Sequence, residues 1–133
     1  MAAEAVDERG GPPSDDIGFN SDRLLTDQER HERLTTRDRN RSMAVYVTKA
    51  KSACYADVTS DKTLGTLECF EAFAFHAPHA AKAWMRRLEA IDTSSVREII
   101  DRVPSTRISD VARQFSVELL NENKKRILQM EIQ

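Results

Sequence analysis

Apolar residues recur at three- and four-residue intervals through Ile108, Val111, Ala112, Phe115, Leu119 and Leu120, the spacing that lines one side of a helix. Ser109 stands ahead of the stripe with a hydroxyl able to accept from backbone N–H groups one turn on. Asp110 adds negative charge at the positive end of the helix dipole. The pattern predicts one long helix within residues 105–130. It pauses over residues 121–126 and resumes at Ile127, Leu128 and Met130, with Lys124, Lys125 and Arg126 toward the negative dipole end. The stripe is read as core, and the pause as a place where the end frays.

Shorter segments upstream read the same way. Thr26-Asp27-Gln28-Glu29 fits a capping box and starts a helix running to about Leu34. Met43, Val45, Tyr46, Val47, Ala50, Ala53, Cys54 and Tyr55 form a wide apolar face, with Lys49 and Lys51 outside it. They predict a central helix over about residues 38–56. Thr59, Ser60, Asp61 and Gly65 break that pattern. Thr66 then caps a helix whose Leu67, Phe70, Phe73, Ala74 and Phe75 are read as core rather than as a cofactor box. Pro78 suits the first turn of the next helix, which carries Ala81, Trp84, Met85 and Leu88 on one side and Lys82, Arg86 and Arg87 on the other. Asp92 caps a further helix through Val96, Ile99, Ile100 and Val103, and Pro104 stops it. The fold class expected is all-α, about six helices in a compact bundle, with Trp84 buried against Phe115 or Leu119.

At 133 residues the chain suits one domain, placed at residues 17–130. Hydrophobic residues at 40%, charged residues at 32%, and only 4 Gly and 4 Pro favour helix over sheet. Residues 1–16 carry the Gly10-Gly11-Pro12-Pro13 cluster and almost nothing apolar, so they are expected to form a disordered acidic tail. Ile17, Phe19, Leu24 and Leu25 are expected to tack the chain onto the first helices, with Phe19 as the anchor. Formal net charge is -2, but Glu4, Asp7, Glu8, Asp15 and Asp16 against Arg9 put about -4 in the tail and leave the remainder near +2. That is too weak a field to favour nucleic acid. Cys54 and Cys69, fifteen residues apart, make neither a disulfide framework nor a zinc site and are read as buried free thiols rather than a redox pair. With no apolar run of about 18 residues and no basic-then-apolar leader, neither a membrane span nor a secretory signal is expected, and the cytoplasm fits best.

Chemistry has few candidates. His76 and His79 straddle Pro78 and do not share a helix face, so they are not read as a metal pair, and His31 stands apart. No glycine-rich phosphate loop, nucleophile with a neighbouring base or paired-carboxylate motif is present, so no catalytic residue, cofactor or metal is assigned. Six arginines and five acids between Asp22 and Arg41 read mainly as a solvated, ion-paired face. Arg37, Arg39 and Arg41 lie close enough to clamp an anion, and the rim of Arg30, Arg33, Arg37, Arg39 and Arg41 is the first candidate for a partner surface. A rival reading divides the last helix into a DNA-binding helix-turn-helix. Ala112 is then the small crossing residue, Ser116-Val117 the turn, and Asn121, Asn123 and Lys124 the base-contacting side chains. Ser116 where the turn wants glycine, and charge at Glu122 where the recognition helix wants an aliphatic residue, argue against it.

The succession of IGFNSDRLLTDQERHERL from Ile17, YVTKAKSACY from Tyr46, WMRRLEAID from Trp84, IIDRVP from Ile99 and RISDVARQFSVELLNENKKRIL from Arg107 resembles the C-terminal helical region of HipA-like serine/threonine kinases. These are bacterial toxin-type kinases related in fold to phosphatidylinositol kinases. The resemblance implies a kinase's helical tail without the nucleotide lobe or catalytic loop. In the family a metal-binding aspartate precedes by six residues the glycine matched by Gly18, and here Pro12 stands there, with Asp15 and Asp16 out of step. The function expected is a non-catalytic helical module, of bacterial or phage origin, that binds another protein as an accessory, regulatory or inhibitory partner.

Overall fold

The computed structural model describes residues 25–133; the expected tail, the Phe19 anchor and the Pro12–Gly18 comparison lie outside them. Six α-helices occur among the described residues: α1 (Asp27–Thr35), α2 (Met43–Tyr46), α3 (Thr66–His76), α4 (Pro78–Glu89), α5 (Thr93–Asp101) and α6 (Asp110–Leu128). Two strands, β1 (Lys51–Tyr55) and β2 (Thr63–Gly65), form an antiparallel hairpin between α2 and α3. The structure is mostly helical, and the hairpin corrects the all-α expectation. No helix among the described residues is long and apolar enough to cross a membrane.

The helix starts follow local chemistry closely. Thr26 accepts from the Glu29 N–H while Glu29 accepts from the Thr26 N–H at 2.6 Å, a complete capping box. Asp92 accepts from the Ser95 N–H at 2.8 Å and Ser109 from the Ala112 N–H at 3.1 Å. Pro78 occupies the first turn of α4, where its missing N–H costs nothing. At α3 the cap falls one residue before the predicted Thr66: Gly65 donates its N–H to the Glu68 carboxylate at 2.6 Å.

The predicted central helix over residues 38–56 is absent: local caps interrupt its first half, and pairing with β2 draws out its second. Asp38 accepts from the Asn40 N–H and Ser42 from the Val45 N–H, so the backbone turns at Arg39–Arg41 and restarts as the single turn of α2. Val45, Val47 and Thr48 crowd a helix with β-branched side chains, and a tight turn at Val47–Lys49 ends it. The Val47 carbonyl instead accepts from the Arg126 guanidinium of α6 at 3.0 Å. The chain then extends: Lys51 pairs with Gly65 and Tyr55 with Thr63, with a bulge between.

α6 is the axis of the fold, touching α1, α2, α4 and α5. Phe115 is fully buried, with the Tyr46 ring edge-on at 5.5 Å, and Val117, Val47, Ala74 and Ala81 complete the buried apolar set. Phe115 is the core residue predicted. Trp84 is 58% exposed rather than buried, and Phe73 and Phe75 are exposed at 40% and 82%, so of the expected phenylalanine core only Phe70 is half-buried, its ring 5.8 Å from that of Phe73. Ala74 and Ala81 are the buried residues of α3 and α4, while the larger Phe75 and Trp84 stay exposed.

Candidate functional site

The arginine rim separates into scaffold and surface. Arg30 pairs with Asp27 at 2.7 Å, its side chain only 15% exposed. Arg33 lies 4.4 Å over the Tyr46 ring, with its Nε buried and without a hydrogen-bond partner among the described residues. Arg41 reaches back to Glu32 at 2.6 Å. Arg37 and Arg39 remain exposed. Three of the five thus have partners on α1 or in the turn that follows it, and Arg33 also donates to the Arg41 carbonyl at 3.5 Å.

The residues named for DNA contact are engaged within the fold. Asn121 accepts from the Thr93 hydroxyl at 3.1 Å, and Asn123 accepts from Arg126 at 3.4 Å. Lys124 donates to the Glu89 carbonyl and to the Ile91 carbonyl. α6 runs unbroken through Ser116 and Val117, with Val117 buried, so the division that a helix-turn-helix requires does not occur. Glu122 is half-buried, pairing with Lys125 at 3.9 Å.

The cations of α6 have a different task. Arg113 donates to the Ile100 carbonyl at 2.8 Å and to the Val103 carbonyl, closing the end of α5; Lys124 does the same for α4, and Arg126 for the turn after α2. Arg113 and Lys124 thus set cations at carbonyls in and just past the last turns of α5 and α4, where they favour the negative dipole end. At the opposite end, a hydrogen bond from Ser109 and the Arg30 contact hold the Asp27 carboxyl below the ordinary carboxylate range, linking the starts of α1 and α6. Composition showed these cations, but not that they serve other helices.

Around the start of α3, Lys51, Thr66 and Arg126 line a cleft of about 150 Å³, but Glu68 already takes the Gly65 N–H, Thr66 donates its own to the Ala50 carbonyl, and Glu71 adds a second negative charge. His76 ends α3 edge-on to Phe75 and His79 stands exposed in α4, on the far side of the helix interruption at Ala77. Among the described residues no group of three or more His, Cys, Asp or Glu is placed to hold a metal ion.

The exposed surface also carries large apolar side chains. Tyr55, Val58, Phe73, Phe75, Trp84, Ile91, Ile99, Val103 and Leu120 are all exposed. The Arg87 guanidinium lies 5.0 Å over the Trp84 ring. Phe75, with Glu71, Ala74 and Pro78, lines an open groove of about 480 Å³ together with Met130, Glu131, Ile132 and Gln133.

No protein-family model, curated protein or solved structure matches the chain.

Proposed function

We propose that this chain is a non-catalytic helical module that binds another protein through the large apolar side chains that α3, α4 and α5 turn outward. The observation that carries this is the imbalance between inside and outside. Among the described residues, nine large hydrophobic side chains are exposed, while six hydrophobic residues are buried and two of those are alanines. Single exposed apolar residues are ordinary on any protein, but aromatic side chains with an arginine on the ring are what protein interfaces concentrate. This moves the contact surface from the arginine rim, where three of the five side chains are taken up internally, to Phe73, Phe75, Trp84 and Ile99. Arg37 and Arg39 are left as a charged margin.

A helical tail of the HipA-like type makes a kinase lobe the first partner to test, and free thiols suit the cytoplasm as its setting. The reading is tested by tagging the full chain in its native host and comparing the wild type with Phe75→Ser, Trp84→Ser and Ile99→Ser, and with Arg37→Ala/Arg39→Ala. One stoichiometric partner should be retained by the wild type and the arginine variant. It should be lost from at least one serine variant whose melting temperature is unchanged. Retention by all three serine variants would overturn this surface, and phosphate transfer from labelled ATP by the purified chain would overturn the non-catalytic reading.

A further inference from the structure

Glu71, Ala74 and Phe75 follow one another at helical spacing along α3, and Pro78 continues the row past the interruption at Ala77. With Met130, Glu131, Ile132 and Gln133, just beyond the end of α6, they line the open groove of about 480 Å³. Two kinds of surface meet in it. Phe75 is 82% exposed, and Pro78, Met130 and Ile132 are half-buried, so apolar groups are left uncovered. Glu71 and Glu131 are both exposed, and neither carboxylate has an ion-pair partner among the described residues. No lysine, arginine or histidine lines the groove among those residues. Arg126 shares the neighbouring cleft with Glu71, but its guanidinium is taken by the Val47 carbonyl at 3.0 Å and by Asn123 at 3.4 Å.

We propose that this groove receives a segment of the partner protein in which a lysine or arginine stands next to a large apolar side chain, the apolar group against Phe75 and Met130 and the cation at Glu71 and Glu131. The inference rests on the protein-binding reading above and deepens it by naming the chemistry of the partner's segment. Charge complementarity selects that chemistry. A neutral apolar segment would strip water from two carboxylates and return nothing to them, and an acidic one would add repulsion. A lysine or arginine avoids both costs, because its aliphatic stem covers apolar surface while its charged head reaches a carboxylate at the rim. Met130, unbranched and polarisable, adapts to whichever apolar group arrives. A polypeptide suits the site better than a small molecule, since ligand clefts enclose most of a small ligand and this groove is open.

The test uses the full chain and two labelled amphipathic peptides with the same leucine spacing, one with lysine and one with glutamate at its polar positions, and reads binding by fluorescence anisotropy at low salt. The lysine peptide should bind and the glutamate peptide should not. Glu71→Gln/Glu131→Gln should weaken binding roughly three- to tenfold, as the loss of two exposed ion pairs does, and salt near ~0.5 M should remove the difference. Phe75→Ser should weaken it roughly tenfold. Asp101→Asn/Glu118→Gln, at exposed carboxylates outside the groove, should bind as the wild type does. Equal binding of the two peptides, an equal loss in the Asp101 and Glu118 pair, or a dimer of the chain that Phe75→Ser dissolves would each overturn the proposal. In capture from the native host, Glu71→Gln/Glu131→Gln should also lose partner. Capture that depends on Trp84 or Ile99 but not on the two glutamates would overturn the groove and leave the wider reading standing, whereas retention by every serine variant would overturn both.

Discussion

Phe115 shows how much one side chain carries in this fold. It is fully buried and meets Tyr46 edge-on, so Phe115→Ala removes the largest buried contact and should lower stability by about 3–5 kcal/mol in chemical denaturation. Against a usual total of about 5–15 kcal/mol, that is a large share. Lys124 makes the opposite point. By composition it is a surface cation, but its ammonium closes the end of α4, so Lys124→Ala should cost about 1 kcal/mol, in line with a lost hydrogen bond. The same change at the exposed Lys125 should stay within about 0.5 kcal/mol. Equal losses at the two positions would remove the capping role.

At the scale of the element, α6 is one helix, and its amides should show it. Hydrogen exchange at Phe115 to Leu119 should be uniformly slow, with no fast amide at Ser116 or Val117, as a turn there would produce. The helix starts predict a pH response. Thr26 and its N–H hold the Glu29 carboxyl below its ordinary 4.5, and Ser94 first, then the Ser95 N–H, hold Asp92 below its ordinary 3.8. A carboxyl depressed in the folded state contributes stability that is present above its ordinary value and lost as pH falls through the lower folded value. The melting temperature should therefore be flat near neutrality and drop below about pH 4, with Asp92→Asn showing a smaller acid-dependent part of that drop. Both carboxylates are solvent-exposed, so salt should weaken the effect.

For the whole molecule, the decisive feature is the sole tryptophan, exposed at 58% under Arg87. Its emission should be that of a solvated indole in the free chain and shift little on unfolding. A shift to shorter wavelength should appear when the partner is bound. A blue-shifted free chain would place Trp84 in a core and remove it from the proposed surface.

Residues 108–120 determined α6 by themselves, and Thr26, Pro78, Asp92 and Ser109 determined where four helices begin, because capping and helical periodicity act within a few residues. The segment from Met43 to Tyr55 could not be read that way: a short apolar run with β-branched residues suits strand and helix alike, and only pairing with β2 and the Arg126 contact at Val47 decided between them. Which apolar faces are covered was also a tertiary matter. Periodicity says that Trp84 and Phe75 lie on a helix side, but the neighbours that α3 and α4 acquire buried Ala74 and Ala81 instead. The cysteines belong to the same class: read as buried thiols on helices, Cys54 is exposed on β1 and Cys69 half-buried in α3, because strand pairing rather than helical periodicity places residues 51–55.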